Sequence, residues 1–162
     1  MIVAFKSNAQ TITSPVAKNY KFVFYEGVGP NFYFNNLVLA KDYVNQYNFS
    51  FTGRIMWEPE YNLSLGIESG YYRLYTVDID FGASNGNVHI VNAAIPIQIV
   101  VSMKFFENYY CSFSLGQSIL KNVVRTTSFG DFDASTFSPG DYSAAIGYNH
   151  LVSNRILFGT EI

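Results

Sequence analysis

The stretch Asn48-Phe49-Ser50-Phe51-Thr52-Gly53-Arg54-Ile55-Met56-Trp57-Glu58-Pro59-Glu60-Tyr61-Asn62-Leu63-Ser64-Leu65-Gly66-Ile67 decides the fold class. Phe49, Phe51, Gly53, Ile55 and Trp57 alternate with Ser50, Thr52, Arg54 and Met56, and after Glu58-Pro59-Glu60 the alternation resumes with Leu63, Leu65 and Ile67 against Ser64, Gly66 and Glu68. A period of two is the signature of a strand. Two such runs about a short turn predict a hairpin with Trp57 opposite Tyr61, Ile55 opposite Leu63 and Arg54 opposite Ser64. One face is then apolar and the other small or polar, and a slip of one residue would spoil both.

Working outward, the same parity recurs. Lys18 to Glu26 reads as a strand with Tyr20, Phe22 and Phe24 on one face and Lys21, Val23 and Tyr25 on the other. Gly27 to Tyr47 reads as a long irregular connection with a helical turn over Leu37 to Tyr43. The strand after the hairpin continues to about Tyr75, and Asp78 to Asn87 is a second long loop. Val88 to Phe105 alternates most cleanly, with Val91, Ala93, Ile95, Ile97, Ile99, Val101 and Met103 against Asn92, Ala94, Pro96, Gln98, Val100, Ser102 and Lys104. Pro96 cannot donate to a ladder and demands an irregularity. Phe106-Glu107-Asn108 turns into a strand carrying Tyr109, Cys111, Phe113 and Leu115. Lys121 to Gly140 is a third long loop. Tyr142 to Asn149 and Ile156 to Ile162 are the last two strands, joined across Leu151 to Ser153.

Composition narrows the class. A chain of 162 residues suits one domain, charged residues are only 14% and aromatics reach 18%, with 13 Tyr and 15 Phe. A water-facing surface made from this chain would be short of charge. A net charge of -2 without a basic stripe argues against nucleic acid. Cys111 is the single cysteine, which excludes an internal disulfide and a cysteine metal cluster. No apolar run is long enough for a spanning helix, so a membrane would have to be crossed by a closed sheet.

The connections alternate long and short, as in outer-membrane barrels with long outer loops and tight periplasmic turns. Seven strands are visible and an even number is required, so the expectation is an all-β, antiparallel up-and-down transmembrane β-barrel of eight strands, with the last one missing beyond Ile162. Residues 1–17 are expected to be a signal remnant or a flexible N-terminus and 18–162 the barrel. Arg54, Glu68, Lys104 and Glu161 share the small, polar face and are expected to form a mutually neutralising ion network in a filled lumen. Trp57, Tyr61, Phe105, Phe106, Tyr109, Tyr110 and Tyr148 near the short turns, and Tyr71, Tyr72, Tyr75 and Tyr142 near the long loops, are expected to form two membrane-interface girdles.

The segment Gly53 to Glu60, Leu63 to Gly70 and Tyr71-Tyr72-Arg73-Leu74-Tyr75, with Ala94-Ile95-Pro96-Ile97, Gly147-Tyr148 and Phe158-Gly159-Thr160-Glu161, resembles the small outer-membrane β-barrel proteins of Bacteroidetes-type Gram-negative bacteria, similar to the OmpA and OmpX barrels. The resemblance implies location in the bacterial outer membrane, insertion by the outer-membrane assembly machinery and a neighbourhood of lipid and lipopolysaccharide. Some such barrels deacylate lipid A with a His and a Ser two positions apart on one strand. Here His150 and Ser153 are three apart, which on a continuous strand points them to opposite faces. The expected function is therefore not enzymatic: a structural, adhesive or interaction role performed by the long loops, with a protein or surface ligand as partner. A pore or small-molecule carrier, a lipid A-modifying enzyme and a soluble lipocalin-like barrel are the alternatives. No cofactor or metal is expected. Asp78, Asp80, Asp131 and Asp133 lack the spacing of a calcium loop, and His89 has no acidic neighbour in sequence.

Overall fold

The computed structural model describes residues 20–34, 43–59, 62–80, 86–127, 130–153 and 156–162, together with the backbone of 2–7. It is an all-β, antiparallel, up-and-down sheet. Its strands are β1 (Ile2–Ser7), β2 (Lys21–Phe32), β3 (Val44–Asn45), β4 (Tyr47–Glu58), β5 (Leu63–Asp80), β6 (Asn87–Lys104), β7 (Tyr109–Thr126), β8 (Phe132–Ser153) and β9 (Ile156–Glu161). Apart from the two-residue β3, which lies against Val77 and Thr76 of β5, the described residues form eight strands. The neighbour order is β3-β5-β4-β2-β1-β9-β8-β7-β6, and β5 pairs with β6 as well. No α-helix occurs among the described residues.

The strand absent from the sequence-based count is β1. Ile2–Ser7 pairs antiparallel with β2 and with β9, so the eighth strand comes from a segment expected to be a signal remnant or flexible terminus. Ile2-Val3-Ala4-Phe5 is short and carries no clear alternation, and only two flanking ladders make it a strand. Residues 8–17 of the same expected segment lie outside the described residues.

The 48–67 hairpin forms with a different register. Arg54 stands opposite Glu68, Ile55 opposite Ile67 and Trp57 opposite Leu65, four residues away from the simplest expectation. The shift is even, so every side chain keeps its face. β4 runs on through Glu58, and the longer connection puts two opposite charges side by side.

Of the two loops expected after β5 and β7, the first is strand at its described ends, 78–80 and 87, and the second is mostly strand, 121–126 and 132–140. β5 and β6 are laddered up to Asp80 and Asn87, and β7 and β8 up to Val124 and Phe132. Polar, Thr- and Ser-rich composition suggested loops, but cross-strand pairing supports polar residues as readily as apolar ones wherever both faces meet water. β2 likewise continues through Gly29-Pro30 to Phe32. Above Gly27 it has no β1 neighbour, so Pro30 lies where one side of the strand carries no ladder. The expected helical turn at Leu37 to Tyr43 lies, apart from Tyr43, outside the described residues. At Pro96 the register is unbroken. Ser69 pairs with Ile97 and Tyr72 with Ala94, with no bridges between them, and the bulges fall nearby, between Arg73 and Tyr75 and between Gly116 and Ser118.

Candidate functional site

Burial runs opposite to that of a protein dissolved in water. One register row crosses six strands through Phe24, Ile55, Ile67, Ile99, Leu115 and Tyr142, and every member is exposed. The parallel row through Phe22, Trp57, Leu65, Val101 and Phe113 is exposed too. The other face of these strands buries Ser64, Glu68, Gln98, Ser102, Ser112, Ser114 and Ser118. Its apolar members are few: Val23 and Tyr25 of β2, Met56 of β4 and Val100 of β6 form one cluster, with Leu157 of β9 packed against it.

The buried face holds two charged layers. In the first, Arg54 pairs with Glu68 across the β4–β5 ladder and with Glu161 of β9, donating from Nη1 at 2.9 Å and from Nη2 at 3.0 Å. Tyr110 donates its hydroxyl hydrogen to Glu161 at 2.8 Å. In the second layer, toward the short turns, Glu58 accepts from Lys104 Nζ at 2.8 Å and from the Tyr25 hydroxyl at 2.7 Å, and lies 3.0 Å from Lys21 Nζ. Arg54, Glu68 and Glu161 therefore meet, while Lys104 serves Glu58 instead. Two carboxylates on one guanidinium leave the first layer one negative charge in excess, and two ammonium groups on one carboxylate leave the second one positive.

Buried charge is costly unless paired and hydrogen-bonded. Every buried side-chain nitrogen or oxygen among the described residues has a partner. Further along, Gln98 accepts from Ser114, Ser114 bonds Ser143, and Ser118 donates to Asp141. A recess of about 240 Å³ lined by Lys21, Tyr25, Lys104, Tyr109, Tyr110 and Asn149 opens at the short-turn end. Beside Arg54 and Glu58 the free space falls to about 10 Å³.

Glu58, Tyr25 and Tyr110 belong to this network although the sequence reading assigned them to a turn, a strand face and an interface ring. The signal was parity: Glu58 continues Arg54 and Met56, and Tyr110 precedes Ser112 and Ser114 on the same face. Tyr110 is buried, and Gly147 opposite it leaves room for its ring, since a Cβ there would come within 2.2 Å of the tyrosine. Tyr72 is also not an interface residue of the exposed face. Its ring leans over Gly70 on the buried side, whereas Tyr71 is exposed. Trp57, Phe105 and Tyr109 are exposed near the short turns, and Tyr148 packs edge-on against Tyr109 with ring centres 5.0 Å apart. Tyr61 lies outside the described residues.

At the other end of the sheet the outer row is charged. Asp78, His89 and Arg125 stand side by side across β5, β6 and β7, all exposed. His89 bonds Asp78, and Arg125 lies 3.1 Å from Asp131 and 3.2 Å from Asp133. His89 thus has an acidic neighbour that only the ladder reveals. Among the described residues no three His, Cys, Asp or Glu side chains come together as a metal site. His150 and Ser153 sit on β8, both exposed, on either side of a register shift.

Comparison with protein-family models, with curated proteins and with solved structures returns no match.

Proposed function

We propose that this chain is an integral β-barrel of a bacterial outer membrane, with a lumen filled by its own side chains and a non-catalytic role carried by the hairpins that project outward. The observation that carries the reading is the exposed apolar rows over a buried polar face. Leaving a Leu, Ile or Phe side chain in water rather than buried costs about 1.5–3 kcal/mol each, so a contiguous face of them requires an apolar solvent or partner. Closure is supported by the ladders, in which β1 pairs with both β2 and β9 and β5 with both β4 and β6. Contacts across the interior agree, since Arg54 of β4 reaches Glu161 of β9 and Val100 of β6 packs with Val23 of β2. A closed sheet is the one strand architecture that leaves no unpaired backbone in hydrocarbon.

On β4 the apolar row runs from Phe49 to Trp57, close to the roughly 9–11 residues that a tilted strand needs to cross. β5, β6 and β7 have 18 residues each and β8 has 22, so roughly half of each stands beyond the band. These projecting hairpins are the surface proposed for adhesion or partner contact, with lipid and lipopolysaccharide around the band and the outer-membrane assembly machinery as the route of insertion. Against a pore stand the two ion-paired layers and the loss of free space beside Arg54.

The test is fractionation and extraction of the expressed chain. The expected result is recovery with the outer membrane, resistance to alkaline carbonate, release only by detergent, and a folded band in unheated SDS gels that shifts on boiling. A monodisperse protein in detergent-free buffer would overturn the reading.

A further inference from the structure

One residue breaks the apolar face. Glu26 lies on the outward side of β2, between Phe24 and Val28 along the strand, with Gly53 opposite on β4 and Val3 opposite on β1. None of these four can bond a carboxyl through its side chain, and no described side chain hydrogen-bonds or forms an ion pair with the Glu26 carboxyl. Its row continues through Gly53 to Ser69. The small residues leave a dent of about 490 Å³ walled by Phe24, Phe51, Ile55, Ile67, Tyr71 and Ile97. At Gly53 an added Cβ would meet nothing within 4 Å.

Resting on the membrane reading above, depth decides what fills this dent. Glu26 is four residues above Phe22, which puts it about 10 Å inside an apolar band about 25 Å tall. Lipid offers only methylene groups there, so an acyl chain would fill the dent and leave the carboxyl unsatisfied. Polar groups within a bilayer pair with one another, and small residues let two backbones approach. Among the described residues, the cations below Tyr71 face inward and are committed to carboxylates, Lys21 and Lys104 to Glu58 and Arg54 to Glu68 and Glu161. Gln117, exposed on the outer side of β7, ends the same register row four strands away from β2, so a Glu26-to-Gln117 contact would be head-to-tail and would not close as a dimer.

A second copy related by a two-fold axis along the membrane normal matches depth by symmetry. With the axis through Gly53, β2 of each copy faces β5 of the other. The Glu26 carboxyl then meets the outward Ser69 hydroxyl, which within its own chain donates to the Pro96 carbonyl oxygen at 2.8 Å and would redirect that hydrogen to the carboxyl across the interface. We propose that the β2–β4–β5 outer face, centred on Gly53 with Glu26 and Ser69 at its sides, is the dimer interface of this protein within the membrane, its occupant being a second copy of the same chain.

The experiment is native mass spectrometry of the detergent-extracted full chain and of the same protein in lipid nanodiscs, over a range of protein-to-lipid ratios. The wild type and Glu26→Gln, which keeps the hydrogen-bonding amide, are expected to be dimeric. Glu26→Leu should weaken the dimer by roughly tenfold, the size of one or two polar contacts in lipid. Gly53→Phe, for which the single chain has room, should fold with the normal gel shift and be monomeric. Gly53→Cys in a Cys111→Ser background should cross-link under mild oxidation. A folded, detergent-requiring wild type that stays monomeric, or a dimer indifferent to both Gly53→Phe and Glu26→Leu, overturns the dimer while leaving the membrane reading intact. A chain that remains in solution without detergent overturns both.

Discussion

The lower and upper halves of β5, β6 and β7 are built by the same ladder and carry opposite polarity. In the lower half the exposed side chains are Ile67, Ile99 and Leu115, and the buried row behind them holds Glu68, Gln98 and Gly116. In the upper half the exposed row is Asp78, His89 and Arg125, while Val77, Ile90 and Val124 on the other face are half-buried. On β6 and β7 the parity is continuous from one half to the other, so the same face reads apolar below and charged above. On β5 the bulge between Arg73 and Tyr75 changes the parity and brings Asp78 opposite His89. Backbone hydrogen bonding does not distinguish the halves. What differs is the solvent each outer face is suited to, and the change occurs within a few residues of Tyr71 and Ile97.

The contrast can be broken most severely from inside the lower half. Arg54→Leu removes the one guanidinium between Glu68 and Glu161 and leaves two buried carboxylates without a cation. A loss of about 3–5 kcal/mol is expected, read as folding free energy in lipid vesicles by urea titration, with Glu68→Gln in the same background recovering part of it. No recovery would mean that the layer is not an electrostatic unit.

Next in size is the outer face itself. Ile99→Arg, in the middle of the apolar row, should cost about 2–4 kcal/mol in vesicles. His89→Arg, on the same face of the same strand ten residues away, should change stability by less than about 1 kcal/mol, being an exposed member of a surface pair. Equal effects at the two positions would remove the proposed distinction between a lipid-facing and a water-facing half.

Smaller again is the effect of size at one close contact. Gly147→Ala crowds the Tyr110 ring on the buried face and should destabilise by about 1–3 kcal/mol. Gly140→Ala, where a Cβ meets nothing within 4 Å, should be nearly neutral. The smallest effect is expected at the outer tip. Arg125→Ala breaks contacts with Asp131 and Asp133 that are half or more exposed, worth at most about 1 kcal/mol and screened by salt. Melting curves at low and high ionic strength should differ for the wild type and coincide for the variant.

Much of the site was legible one strand at a time. Alternation placed Arg54, Glu68, Lys104 and Glu161 on the face opposite Ile55, Ile67, Met103 and Thr160, and the structure keeps that assignment. It did not say which charges meet. Lys104 goes to Glu58 because two strands that are not sequence neighbours converge there, and Glu161 of β9 reaches Arg54 of β4, three strands away. The Ser- and Thr-rich stretch from Lys121 reads as loop, because composition reports the medium around a segment and not whether a neighbouring strand satisfies its backbone. His89 beside Asp78 was invisible for the same reason, since eleven residues and a turn separate them.

By itself the sequence determined the class of structure and the chemistry of each face. Side chains alternate about a strand with a period of two, and that rule is local, so it survives any even shift of register. Only the tertiary structure decided the register of the 48–67 hairpin, the height to which the hairpins rise, the enlistment of Ile2–Ser7 as the eighth strand and the sorting of six charges into two layers. Each of these depends on ladders between segments distant in sequence, where the free energy belongs to the pair and neither strand alone carries the information.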